Sequence, residues 1–255
     1  MSNTDNSGSD SNGIIINSNL SNQNETLPSA NSTPTVQTRF WGPNEPYSGY
    51  TYYQLNFDLR EANKLPVAVQ LISGPNVISP VDIGACGTCG HVQFQTFANL
   101  GGNIIPNVGD SYAFSVTYSD GSTETVNGLV TGWAGGSSIV GPSDLATNLA
   151  PVSNNSVSTT PTFTWTYPAN ASSYTYQFNL NDNNGNTIWA IPSNNSNLNG
   201  FPSSVTQIVW GTDPTGDTTN TPSIPSLNPG TTYDWQIQVM DANGNSAESA
   251  VYYIP

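Results

Sequence analysis

Gly109-Asp110-Ser111-Tyr112-Ala113-Phe114-Ser115-Val116-Thr117-Tyr118-Ser119-Asp120 and Gly230-Thr231-Thr232-Tyr233-Asp234-Trp235-Gln236-Ile237-Gln238-Val239-Met240-Asp241 are two versions of one pattern. In each, large apolar residues stand at every second position between a glycine and an aspartate. Successive side chains of a strand point to opposite faces, so this alternation predicts a β-strand with one dry face and one wet face. Upstream, Tyr50-Thr51-Tyr52-Tyr53-Gln54-Leu55 is similar to Tyr174-Thr175-Tyr176-Gln177-Phe178. Tyr112 follows Tyr50 by 62 residues and Tyr233 follows Tyr174 by 59. Self-similarity in the same order at nearly the same spacing predicts two modules of one topology in tandem. Their boundary is expected within residues 135–151, which are rich in Gly and Pro and carry no strand pattern.

The rest of the chain agrees with this reading. From Val36 onward, short strand patterns alternate with turn signals about every ten residues, as in sandwiches and barrels. They cover residues 50–59, 67–72, 91–98, 111–118, 123–131, 162–167, 174–180, 187–191, 205–210, 232–240 and 249–254. Asp120-Gly121 is a two-residue hairpin signal, and residues 182–185 and 241–244 suit longer hairpin loops with a left-handed Gly. Only residues 57–65 could hold a turn of helix.

Leu227-Asn228-Pro229-Gly230-Thr231-Thr232-Tyr233-Asp234-Trp235-Gln236-Ile237 resembles the fibronectin type III signature that precedes and enters the sixth strand. The resemblance implies a tyrosine corner, with the Tyr233 hydroxyl bonded back to upstream backbone. Pro161-Thr162-Phe163-Thr164-Trp165 is similar to that family's second strand, whose Trp packs between the sheets. The first module keeps Gly-x-x-Tyr-x-Phe but lacks the leading Pro and a second-strand Trp, so it is only immunoglobulin-like. Residues 193–202 and 211–225 form long loops that the usual module does not carry. The expected fold is all-β: two tandem immunoglobulin-like (fibronectin type III-like) β-sandwiches, 36–140 and 149–255, behind a disordered polar tail at 1–35. Trp165, Trp235, Tyr174, Tyr233, Phe178 and Ile237 would each contribute roughly 1.5–3 kcal/mol on burial.

Charge narrows the function. Of 255 residues 35% are hydrophobic and only 8% charged, and 17 Asp+Glu against 3 Lys+Arg give a net charge of −14. The bases are Arg39, Arg60 and Lys64; His91 is the single histidine. Phosphate neutralisation needs several Lys or Arg, so nucleic acid is excluded as a partner. Anionic lipid would be repelled, and no run approaches the roughly 18 apolar residues of a membrane helix. Amides and hydroxyls must build the surface, with Asn occurring 33 times. Cytoplasmic domains carry about 25% charged residues, so a secreted or surface-displayed protein is expected. Six N-x-S/T sites follow by chance from so much Asn. Residues 1–10 are polar and hold no signal-peptide pattern, which implies a mature chain or another export route.

Several local features invite chemistry. Ile14, Ile15 and Ile16, with Leu20, would make a strand over 13–20 if a sheet edge were offered, and otherwise a sticky unstructured patch. Cys86 and Cys89 flank a Gly-rich step. Zinc needs four ligands where three exist, haem needs a His directly after the second Cys, and a thioredoxin site needs a βαβ setting. A local disulfide is expected, with a free or metal-linked pair as the alternative. Asp182 and Asp241 open loops with oxygen donors at alternate positions, read either as weak calcium sites or as turns capped by Asp and Gly. Trp41, Trp133, Trp189 and Trp210 would serve either as glycan-stacking planes or as core. No Gly-x-Ser-x-Gly elbow or phosphate cradle occurs, and the pairs Asp213/Asp217 and Asp120/Glu124 look like ordinary turn acids.

These features together predict an extracellular, non-catalytic structural or adhesive protein, a subunit of a surface filament or layer assembled through its N-terminal strand. Its partners would be further copies of itself or other surface proteins. The second reading is a carbohydrate-binding accessory module of a secreted system, and the third a virion decoration or tail component. No cofactor is expected beyond the calcium alternative.

Overall fold

The computed structural model describes residues 32–42, 53–61, 64, 66–84, 91–96, 105–153, 158–193 and 200–255. The described chain is all-β, broken only by single 3-10 turns at Trp133–Gly135, Pro142–Asp144 and Ala171–Ser173. Its first half holds β1 (Ser32–Trp41), β2 (Tyr53–Glu61), β3 (Pro66–Ser73), β4 (Val81–Asp82), β5 (His91–Thr96), β6 (Ser111–Tyr118) and β7 (Thr123–Leu129). Its second half holds β8 (Thr147–Ala150), β9 (Thr162–Thr166), β10 (Thr175–Asp182), β11 (Thr187–Ile191), β12 (Gln207–Val209), β13 (Tyr233–Met240) and β14 (Ser246–Tyr253). β2 stays extended through Glu61, where a helical turn was an alternative. β1 begins at Ser32, inside the stretch that reads as tail.

The strands form three sheets. One has seven strands in the order β11-β10-β13-β14-β1-β2-β5; the others run β12-β9-β8 and β4-β3-β6-β7. Alternation fixes what faces what. Tyr233, Trp235, Ile237 and Val239 of β13 are buried with Phe163 and Trp165 of β9 and Ile208 of β12. Tyr112, Phe114, Val116 and Tyr118 of β6 are buried with Leu55 and Phe57 of β2 and Val36 of β1. Each repeat copy is therefore the core strand of its own sandwich. Ring packing adds specificity: the Phe163 ring lies 4.9 Å from Phe178 and 5.1 Å from Trp235, each pair worth about 0.5–1.5 kcal/mol beyond area burial.

The two turns ahead of these strands share a backbone pattern and differ in one bond. The Gly230 N–H donates to Pro255 O and that of Thr231 to Asn228 O; the Gly109 N–H donates to Val130 O and that of Asp110 to Asn107 O. Both glycines have positive φ, 77° and 90°, which side chains disfavour. In the second copy the Asn228 N–H donates to the Tyr233 hydroxyl at 3.0 Å, which is the tyrosine corner. In the first, the equivalent Asn107 N–H donates instead to the Asp110 carboxylate at 2.8 Å.

The sequence did not reveal how the halves join. β1 pairs antiparallel with β2 and also parallel with β14, setting Arg39, Phe40 and Trp41 opposite Ser246, Ala247 and Glu248. One face of β1 thus serves both cores, Val36 in the first and Phe40 in the second, with Thr38 between them. The far edge of the same sheet is covered by the long 211–225 loop. There the Ser223 N–H donates to Ile188 O at 2.9 Å and Asn220 Nδ2 donates to Ala190 O at 2.9 Å. Covering an edge removes a template for unwanted pairing.

Candidate functional site

The outer face of the seven-stranded sheet follows from the same alternation. β10 and β13 set Thr175 opposite Met240, Gln177 opposite Gln238 and Asn179 opposite Gln236, all pointing away from the core. Beyond them β14 and β1 bring Ser246 and Gln37 to the same side. The Ala171–Ser173 turn and the loop at 241–244 rise at the end of these strands. Together they enclose a cleft of about 700 Å³ lined by Gln37, Thr175, Gln177, Gln238, Met240 and Ser246.

Its wall is held by a buried polar junction. Asp241 Oδ1 accepts the N–H groups of Asn243 and Asn245, each at 2.9 Å. Asp241 Oδ2 accepts Asn245 Nδ2 at 3.0 Å and the Ala134 N–H at 2.9 Å. Asn245 Oδ1 in turn accepts the Thr38 N–H at 2.9 Å and the Thr38 hydroxyl at 3.2 Å. Asn245 Nδ2 also reaches Thr131 Oγ1 at 3.1 Å, and Gln37 Nε2 donates to Asn243 O at 3.3 Å. Asn245 and Thr38 are both 0% exposed. Satisfying such groups is obligatory, since each one orphaned costs about 1–3 kcal/mol.

Beside the cleft, Arg39 pairs with the fully buried Glu248 and lies 4.1 Å over the Trp41 ring. Trp41 Nε1 donates to Gln54 Oε1 at 3.1 Å. Further along the face, burial pushes the Asp234 carboxyl up, while the Asn181 amide at 2.9 Å pulls it back down. The Gln, Asn, Ser and Thr groups of the cleft lining both donate and accept hydrogen bonds. The one carboxylate in the lining, Asp241, is turned to the N–H groups of Asn243, Asn245 and Ala134, so the lining suits a ligand rich in hydroxyls or amides.

The residues singled out from sequence fare differently. Trp41, Trp133 and Trp189 are buried, which corrects their reading as glycan-facing planes: their faces are already covered. Trp133 stacks on Tyr174 at 4.9 Å and donates to its hydroxyl at 3.0 Å, and Trp189 packs edge-on against Phe178 at 5.7 Å. Trp210 is half-buried, with Nε1 donating to Pro225 O at 3.0 Å. Asp182 and Asp241 both accept N–H groups of their own loops, the arrangement of a turn capped by its first Asp. No group of three or more His, Cys, Asp or Glu is placed to hold a metal among the described residues. Asp213 accepts from Thr215 and Asn220, Asp217 accepts from Thr219, and Glu124 accepts the Tyr118 hydroxyl. Ile14, Ile15, Ile16, Leu20, Cys86 and Cys89 lie outside the described residues. Sequence reasoning missed Thr38 and Asn245. The Asp182–Asn186 and Asp241–Asn245 likeness marks the loop, but nothing near it in sequence names Thr38 as its partner.

No family model matches the chain, and no curated protein matches it. Among solved structures it is similar to the 47-kilodalton lipoprotein of Treponema pallidum, with TM-score 0.34 and 9% identity over 85% of this chain and 49% of that one. It is also similar to a two-domain fibronectin type III segment of chicken tenascin (TM-score 0.25, 14% identity, 81% and 94% covered). A third likeness is to a 1.5-MDa bacterial ice-binding adhesin (TM-score 0.28, 11% identity, 88% and 63% covered). The chain spans about half the length of the treponemal lipoprotein. No helix among the described residues is long and apolar enough to cross a membrane.

Proposed function

We propose that this chain is an extracellular, non-catalytic structural or adhesive protein of two β-sandwich modules, 36–140 and 149–255, that makes contacts through neutral polar surfaces. The observation that carries the reading is the outer face of the seven-stranded sheet, where a cleft of about 700 Å³ is lined by amides and hydroxyls. Such a lining supports reversible hydrogen bonding. Residues 13–20 supply a second contact, a strand donated to the sheet edge of another copy. A local disulfide between Cys86 and Cys89 belongs to the same extracellular reading.

A specific observation favours glycan binding as the second reading. Gln177 and Gln238 lie directly opposite each other in the cleft, two amides that each donate and accept hydrogen bonds as sugar hydroxyls require. One experiment separates the readings: light scattering and a glycan array on the full chain, on a chain lacking residues 1–20, and on Gln177→Ala/Gln238→Ala. Loss of oligomers on truncation supports assembly, and glycan signal abolished by the double substitution supports the second reading. A monomer throughout with no glycan signal overturns both.

A further inference from the structure

The first and last described strands, β1 and β14, are neighbours and run parallel. Tension that enters before Ser32 and leaves through Pro255 therefore draws β1 backward along its axis and β14 forward along its own. The bonds between them lie across the pull and are loaded together, in shear. A hairpin pulled apart at its open end breaks its bonds one after another.

The contact is bolted beyond its short ladder. The Gly42 N–H donates to Glu248 O at 2.8 Å, and Thr38 is tied to Asn245 through both its N–H and its hydroxyl. Arg39 pairs with Glu248, and Gln37 bonds to Asn243 O. β1 is also registered along Ser32 to Phe40 against β2, which loads in shear as well. Apart from β2 and β13, which flank the contact, the chain between Gly42 and Asn245 is a covalent loop lying off this path. Two modules linked end to end would instead carry the load in series.

We propose that β1 and β14 form a force-bearing clasp that lets the chain hold tension while both cores stay folded. The clasp gives the adhesive reading a use under load, but its test involves no ligand or partner, so either can fail without the other. The experiment is single-molecule force spectroscopy of the full chain held by tags at its two ends. The first rupture is expected to be the strongest event of each trace, with both cores released at once or at lower force; weaker events preceding a stronger one would overturn the clasp. At constant force, lifetime is governed by the unfolding rate, so Asn245→Ala is expected to shorten it by about tenfold, and Asp182→Ala to leave it unchanged. Equal lifetimes for wild type and Asn245→Ala would also overturn the clasp. If Asn245→Ala does not fold, the order of events in the wild-type traces decides.

Discussion

The loops at 182–186 and 241–245 are the same object in two settings. In both, the first Asp accepts the N–H groups two and four residues on, at 2.8 and 2.9 Å for Asp182 and at 2.9 Å each for Asp241. In both, the last Asn returns its side-chain amide to that Asp, and the Gly N–H donates to the Asp carbonyl. The loop at 182–186 stands largely in solvent between β10 and β11, and the side-chain bonds of Asp182 and Asn186 close within its own hairpin. The loop at 241–245 adds Thr38, Thr131, Ala134 and Gln37 as partners and becomes the weld between two cores. Local sequence encodes the turn. What docks against it decides whether the turn matters to the whole molecule.

The largest expected effect tests that difference directly. Asn245→Ala strips acceptors from the buried Thr38 and donors from Asp241, and is expected to cost about 2–4 kcal/mol of stability. Asn186→Ala breaks the same intraloop bonds in water and is expected to cost less than about 1 kcal/mol. Urea unfolding of the two variants measures both, and equal losses would break the distinction. A middle-sized effect comes from the other repeated element. Tyr233→Phe removes the acceptor for the Asn228 N–H in a partly buried corner, for an expected loss of about 1 kcal/mol. Asp110→Ala removes the acceptor for the equivalent Asn107 N–H in an exposed turn. It is expected to cost about half as much, because water replaces the bond. A larger loss from Asp110→Ala would mean that the first turn is the more dependent of the two.

Much of the fold was legible because alternation is a local signal. β6 and β13 carry apolar residues at every second position and became the core strands of their sandwiches. The tyrosine corner could be read because Asn228 lies five residues from Tyr233. β1 escaped because it offers only Val36 and Phe40 to the cores, with Thr38 between them, and its remaining large apolar residue, Trp41, has the opposite parity. Its partner on one side is β14, about 200 residues away, and no local pattern reports such a pairing. The same distance hid the cleft, which gathers Gln37, residues 172–177 and residues 238–246. The tryptophans were ambiguous for another reason. Trp41 sits on the outer face and is covered there, so strand parity alone does not say whether a ring meets water.

The smallest expected effect is a pH dependence in the exposed loop. The bonds Asp182 accepts from Asn186 and Asn184 stabilise its charged form and hold its carboxyl below the usual carboxylate value. A depressed folded-state pKa means the contribution is fully present above the unfolded value of about 3.9 and is lost as pH falls through the lower folded one. The stability gap between wild type and Asp182→Ala is therefore expected to stay constant from neutral pH to about pH 5 and to close below about pH 4. Chemical denaturation at stepped pH follows the gap, and amide shifts of Asn184 and Asn186 follow the loop itself. Because this carboxylate is solvated, the gap is expected to be narrower than that between wild type and Asn245→Ala at any pH in the series. A gap that widened on acidification would mean that the carboxylate is held by something other than those N–H groups, and the likeness of the two loops would then stop at their sequence.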